Sequence, residues 1–340
     1  MTDTNQPSTN EPIDPQPEPA NQAPLTAKEP SVAEKIVIGR DGLRAGWSLL
    51  IFVALLAVFL TGVGAIVKAL HLAPVGAGGG DVTAGPTILT EAIPFLLTLL
   101  AAWIMSKIEK RPAGVYGLGG QKKASHFLAG LGWGVFCLSV LVVTLWKTGL
   151  LVFESRLLFG ARAFEYGGLW LVGFLMVGLL EEYLTRGYLM FTLTRGLAGI
   201  YASVFETKHS KAIGFWTAAV ALSIIFGLGH GKNPGESPIG LLAAGLAGLV
   251  FCLSLWRTGS LWWAIGFHAS WDWAQSFLYG VADSGLMVKP HLMATHPVGK
   301  ALMSGGTTGP EGSVFVLPVL ALASLIIVYT LPRKSDGGAA

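Results

Sequence analysis

Hydrophobic residues dominate eight segments of this chain, at about 45–68, 88–106, 126–150, 168–193, 212–230, 238–256, 259–280 and 313–332, and polar residues collect between them. A helix rising 1.5 Å per residue needs roughly 20 apolar residues to cross about 30 Å of hydrocarbon. The pattern predicts an all-α fold, a polytopic membrane helix bundle of about eight transmembrane helices. The first segment, "GWSLLIFVALLAVFLTGVGAIV" from Gly46, carries no charge. Pro94 and Pro318 fall inside segments two and eight, where a membrane helix tolerates them as kinks. Gly130 with Gly134, and Gly240 with Ala244 and Gly248, set small residues a turn apart, which lets helix backbones pack closely.

Composition agrees with that pattern: 52% of the 340 residues are hydrophobic and only 13% charged. Residues 1–34 are rich in Pro, Asn, Gln, Thr and acids and read as a disordered tail. They lack a basic n-region with an early apolar core, so the first segment is expected to act as an uncleaved anchor. Residues 35–334 form the membrane domain, and 335–340 a short C-terminal tail.

The net charge of +3 has a topological meaning here and, with no dense Lys/Arg tract, gives no reason to expect a nucleic-acid partner. Fourteen Lys and Arg residues, among them Arg44, Lys107, Lys110 and Lys123, fall on the side of the N-terminus and seven on the other. The excess predicts cytoplasmic termini in a multi-pass protein of the cell's inner or plasma membrane. Cys137 and Cys252 lie inside apolar runs and read as small hydrophobes. The long connection after segment seven carries His291 and His296 without ligand-like spacing, so both read as ordinary loop histidines.

Three segments carry charge or imidazole at membrane depth, where each ionised group costs at least ~2.5 kcal/mol and is a functional hypothesis by default. In "VGFLMVGLLEEYLTRGYLMFTL", Glu182 and Arg186 are four apart and share a helix face as an acid-before-base pair. Glu181 is rotated by about 100° and aims elsewhere. Segment five ends in "FGLGH", with Phe226 and His230 on one face, and segment seven contains "HASWD", with His268 and Asp272 on one face. Glu91 begins segment two and reads as interfacial. "GLGHGK" lacks the spacing of a phosphate loop, and no His-Glu-x-x-His helix is present.

Each cluster has an ordinary structural reading: an interhelical ion pair, a helix-end histidine, and a hydrogen-bonded pair within a belt of tryptophans. Their coincidence in one chain points instead to a shared interior site that activates water. A carboxylate beside a neutral imidazole can take a proton from water, and a second histidine can donate to an oxyanion. One Glu and two His are equally the ligand types of a catalytic zinc site.

"EEYLTR", "FGLGH" and "HASWD", in that order along a polytopic chain, resemble the Glu-Glu-x-x-x-Arg, Phe-x-x-x-His and His-x-x-x-Asn/Asp motifs of the CPBP intramembrane proteases. That family includes type II CAAX-prenyl endopeptidases and the Abi bacteriocin-processing and immunity proteins. The resemblance covers a core at about 168–280. It implies that Glu181 and His230 activate a water, that His268 and Asp272 stabilise the oxyanion, and that Glu182 and Arg186, with Phe226, support the site. It leaves open a metalloprotease, with zinc or a similar divalent metal held by Glu181, His230 and His268, and a glutamate-dependent protease. An ionised Asp272 only accepts hydrogen bonds, so it would have to be protonated, orient Nδ1–H of His268, or ligate metal.

The expected function is an intramembrane endopeptidase acting on a membrane-associated protein or peptide, of CAAX type and prenylated or bacteriocin-related, with membrane lipid as its surroundings. The alternatives are a non-enzymatic scaffold or immunity protein, and a transporter with buried charges. A transporter would show internal repeats, which this sequence lacks.

Overall fold

The computed structural model describes residues 36–39, 42–71 and 82–332. The two expected tails lie outside these residues. Each of the eight apolar segments forms a helix: α1 Ala45–Ala69, α2 Ala84–Ile108, α3 Lys123–Lys147, α4 Gly160–Glu182, α5 Met190–Val204, α6 Ser210–Gly229, α7 Pro238–Thr258, α8 Trp262–Trp273 and α9 Val316–Thr330, with α4 and α5 both drawn from the fourth. The α4–α5 segment is continuous over 45 residues, Gly160–Val204, and is one of six helices long and apolar enough to cross a membrane. The other two, α8 with its following turn and the 15-residue α9, are shorter.

Local chemistry accounts for the element ends. Ser237 caps α7 by accepting from the Gly240 N–H, Pro238 occupies the first helical position, and Gly259 ends the helix at φ 68°. Pro94 lies within α2, whereas Pro318 falls in the first turn of α9, where its missing N–H would be unpaired anyway. Pro318 therefore starts its helix, and the kink expected there is not required.

The bundle is built around α8. A Cβ on Gly130 would lie 2.2 Å from the Trp263 carbonyl oxygen, and one on Gly134 would lie 2.4 Å from that of Phe267. Glycine thus lets α3 press its backbone onto α8. Leu138, Leu141 and Leu145 of α3, Trp263, Phe267 and Trp271 of α8, and Val319, Ala323 and Ile327 of α9 share one buried cluster. A second cluster joins Phe52, Met105, Tyr116, Tyr188 and Leu261. There the buried Glu109 carboxylate accepts from the Tyr116 and Tyr188 hydroxyls at 3.0 and 3.1 Å, pinning α2 to the α4–α5 segment.

The connections after α3 and α8 meet as an antiparallel pair, β3 (Leu151–Arg156) with β4 (Met293–Pro297); the chain's β1 (Ile38–Gly39) and β2 (Gly42–Leu43) form a small ladder before α1. The β3–β4 pair lies at the end of the bundle opposite the start of α1 and the end of α9, together with the connections 230–237 and 281–312.

Candidate active site

Glu181 and Glu182 are the last residues of α4, and the chain then widens into a π-helical turn, Tyr183–Leu189, that contains Arg186. Such turns leave the ordinary hydrogen-bond ladder and are frequent at functional sites. Arg186 Nη1 donates to Glu182 Oε1 at 2.7 Å, with side-chain exposures of 2% and 0%. A second π-helical turn, Ala274–Leu278, follows Asp272 at the end of α8.

Nδ1–H of His268 donates to the same Glu182 oxygen at 3.0 Å. Its Nε2 lies 3.7 Å from Glu181 Oε2 and 3.5 Å from Asp272 Oδ2. These separations exceed a direct hydrogen bond and suit an intervening water or substrate atom. Glu181 Oε2 is buried without a hydrogen-bond partner among the described residues. His230, at the end of α6, donates Nδ1–H to the Phe226 carbonyl oxygen at 2.8 Å, so the neutral ring keeps its lone pair on Nε2.

Two rings enclose the cation behind this row. The Arg186 guanidinium carbon is 4.0 Å from the Phe226 ring centre and 5.5 Å from that of Phe251. Phe251, on α7, also stacks on His268 at 5.4 Å and 25° between planes.

Glu181, His230, His268, Asp272 and Phe226 line one cavity of about 690 Å³, and Glu182 and Arg186 lie behind its wall. Three segments far apart in sequence are thus brought together. Asp272 faces Nε2 of His268, whereas Nδ1 is taken by Glu182; the orienting role weighed for Asp272 at Nδ1 falls to Glu182. Glu91, expected at the interface, also lines the cavity, as do Asp283 and Glu311 from the long connection. No Lys or Arg among the described residues lines it. The acids of the connection could not be read from a local motif, because only the fold brings them to α8.

Asp283 accepts from Ser276 Oγ at 3.3 Å, and Glu311 Oε1 accepts from the Ser284 backbone N–H and, at 3.1 Å, its hydroxyl. Burial pushes the Asp283 carboxyl well above the usual carboxylate range, and the charges of Asp272 and Glu311 push the same way. Burial also raises Glu311. Thr307 and Thr308 donate to the Gly235 carbonyl oxygen, joining this connection to the one after His230. His291 is buried and donates to the Val288 carbonyl oxygen at 2.7 Å, and the exposed His296 lies 2.9 Å from Glu154 of β3. Both serve the connection itself.

Glu181, His230 and His268 face one cavity, but among the described residues no three His, Cys, Asp or Glu side chains are arranged to hold a metal ion. One carboxylate and two imidazoles are donor types that a catalytic zinc site uses.

The fold and site define a polytopic helical membrane protein with a carboxylate–imidazole cluster inside its bundle. Residues 163–274, about a third of the chain and the span holding all three motifs, match the family model for type II CAAX prenyl endopeptidase Rce1-like proteins. Over that span the chain is similar to the CAAX-type intramembrane proteases. It matches no curated protein and no solved structure.

Proposed function

We propose that the protein is an intramembrane endopeptidase whose nucleophile is a water activated at Glu181, and that a prenylated CAAX peptide is its first substrate class. The observation that carries this reading is the buried, unpaired Glu181 Oε2 facing His268 Nε2 across the cavity. The family match supports the reaction class.

The Glu181 carboxylate accepts a proton as the water oxygen bonds to the scissile carbonyl carbon. His230 Nε2 accepts the water's other O–H and fixes its direction. Nε2–H of His268 donates to the carbonyl oxygen, where negative charge develops. Glu182, backed by Arg186, holds His268 by Nδ1–H. The C–N bond then breaks, Glu181 passes its proton to the leaving nitrogen, and a carboxylic acid and an amine result. Asp272, one turn beyond His268, faces Nε2–H across an intervening water between turnovers.

We place both termini in the cytoplasm of the inner or plasma membrane, on the charge excess of the loops, so the connection carrying Asp283 and Glu311 lies on the opposite side.

The test is cleavage of an internally quenched farnesylated CAAX peptide by protein in liposomes. Glu181→Gln should lower kcat by about 10²–10⁴-fold, the usual range for losing a general base. Wild-type turnover by that variant would overturn the reading. Activity unchanged by chelation, with substoichiometric metal in the purified protein, is expected; loss on chelation that zinc restores would replace the protein-only chemistry with a metal mechanism.

A further inference from the structure

α7 contributes none of the three motifs, yet it forms the wall behind the ion pair and the histidine. We propose that Gly248 and Phe251, three residues apart on α7, are positioning residues that fix Arg186 and His268 and thereby set the reactivity of the cavity. This rests on the endopeptidase reading above.

The argument for Gly248 is one of space. A Cβ there would lie 2.6 Å from Arg186 Nη2 and 2.9 Å from Ser223 Oγ of α6. The missing side chain lets Nη2 approach α7 while the other nitrogen, Nη1, holds Glu182 at 2.7 Å. A methyl group would push the guanidinium along the only soft direction, its own long stem, and so disturb the grip on Glu182. Glu182 in turn orients the His268 ring through Nδ1. One added carbon is thus transmitted through two contacts to Nε2.

Phe251 acts on the same pair from the next turn. Its ring stacks on His268, and its centre lies 5.5 Å from the guanidinium carbon. The Phe226 ring centre lies 4.0 Å from the same guanidinium carbon. The cation lies near two aromatic faces, which favour it over any neutral group. One of those faces is also the stacking surface of the imidazole. Removing the Phe251 ring frees His268 to rotate about its side chain while leaving its Glu182 contact available. α7 therefore sets the orientation of Nε2 from behind, and α4 sets it through Nδ1.

The experiment is a double-mutant cycle on the quenched farnesylated peptide, with kcat and KM measured separately. Gly248→Ala should lower kcat about tenfold to a hundredfold, as a misplacement of under an ångström in a catalytic group does, with KM within about twofold. In an Arg186→Lys background, which lacks Nη2, the further loss from Gly248→Ala should shrink to the part its Ser223 contact causes. Phe251→Leu should lower kcat with KM unchanged and alter the pH–rate profile. Gly132→Ala, which meets no atom within 4 Å, should behave as wild type. The same cycle read by thermal unfolding should show the same non-additivity and covers an inactive Arg186→Lys protein.

Losses that multiply in both readouts would show that Gly248 acts independently of Arg186 and overturn the proposal. Wild-type kcat in Gly248→Ala and Phe251→Leu, or a Phe251 effect confined to KM, would also overturn it. If Glu181→Gln is inactive while both α7 variants are normal, this inference fails alone. If Glu181→Gln is fully active, the endopeptidase reading fails first.

Discussion

Replacing Arg186 by Met would leave the Glu182 carboxylate buried with its main counter-charge gone. The pair is separated by 2.7 Å, and the side-chain exposures of 2% and 0% mean that little water can take over. At an effective dielectric of about 20, unit charges at that distance attract by roughly 6 kcal/mol. Desolvation of both groups offsets much of this, and breaking such a pair from one side costs about 3–5 kcal/mol. Nδ1–H of His268 remains on Glu182, so the lower end, about 3 kcal/mol, is expected for Arg186→Met. The double variant Glu182→Gln/Arg186→Met removes both charges and should lie within about 1 kcal/mol of wild type. Equilibrium unfolding in mixed micelles, followed by the fluorescence of the 11 tryptophans, measures all of these. A single variant within about 1 kcal/mol of wild type, or a double variant as unstable as the summed singles, would refute the reasoning.

Asp283 and Glu311, with carboxyls raised by burial, hold protons in the folded state at pH values where the unfolded chain has lost them. Stability should therefore fall as pH rises from the ordinary carboxylate range through their raised values, and Asp283→Asn with Glu311→Gln should flatten the slope; thermal midpoints at pH 5 and pH 8 check this, and a rising slope refutes it. Gly134→Ala puts a Cβ 2.4 Å from the Phe267 carbonyl oxygen and should cost about 1–3 kcal/mol in the same unfolding assay, with no loss counting against the α3–α8 contact. A cysteine replacing Lys300 should react with an impermeant maleimide from outside the cell, and one replacing Lys123 only after permeabilisation; the reverse would invert the orientation, and the buried Cys137 and Cys252 keep the background low.

The helices were legible because apolar length is a local property of the chain, and the three motifs because residues four apart share a helix face. Glu182 with Arg186 could be paired on paper, and the structure pairs them. What could not be read was anything that depends on distant segments meeting. The β3–β4 pair joins strands about 140 residues apart, and Asp283 and Glu311 reach the cavity only because their connection folds back over α8. Phe251 sits in an apolar helix where one more aromatic residue carries no signal. Glu91 lies near a helix start, which suggests an interface, yet the cavity extends to that depth. Orienting His268 at Nδ1 was one of three roles open to Asp272 on sequence, and Glu182, across the bundle, occupies that nitrogen.

The 45-residue Gly160–Val204 helix is about 68 Å long at 1.5 Å per residue, more than twice the thickness of bilayer hydrocarbon. Its ends stand in the interfaces or beyond, and Glu181 lies near its midpoint. In the proposed reaction the nucleophilic water is therefore consumed near the middle of this helix, inside the bundle. Supply of solvent becomes part of the proposed turnover cycle: each cleavage uses up a water that the same cavity must take in again before the next.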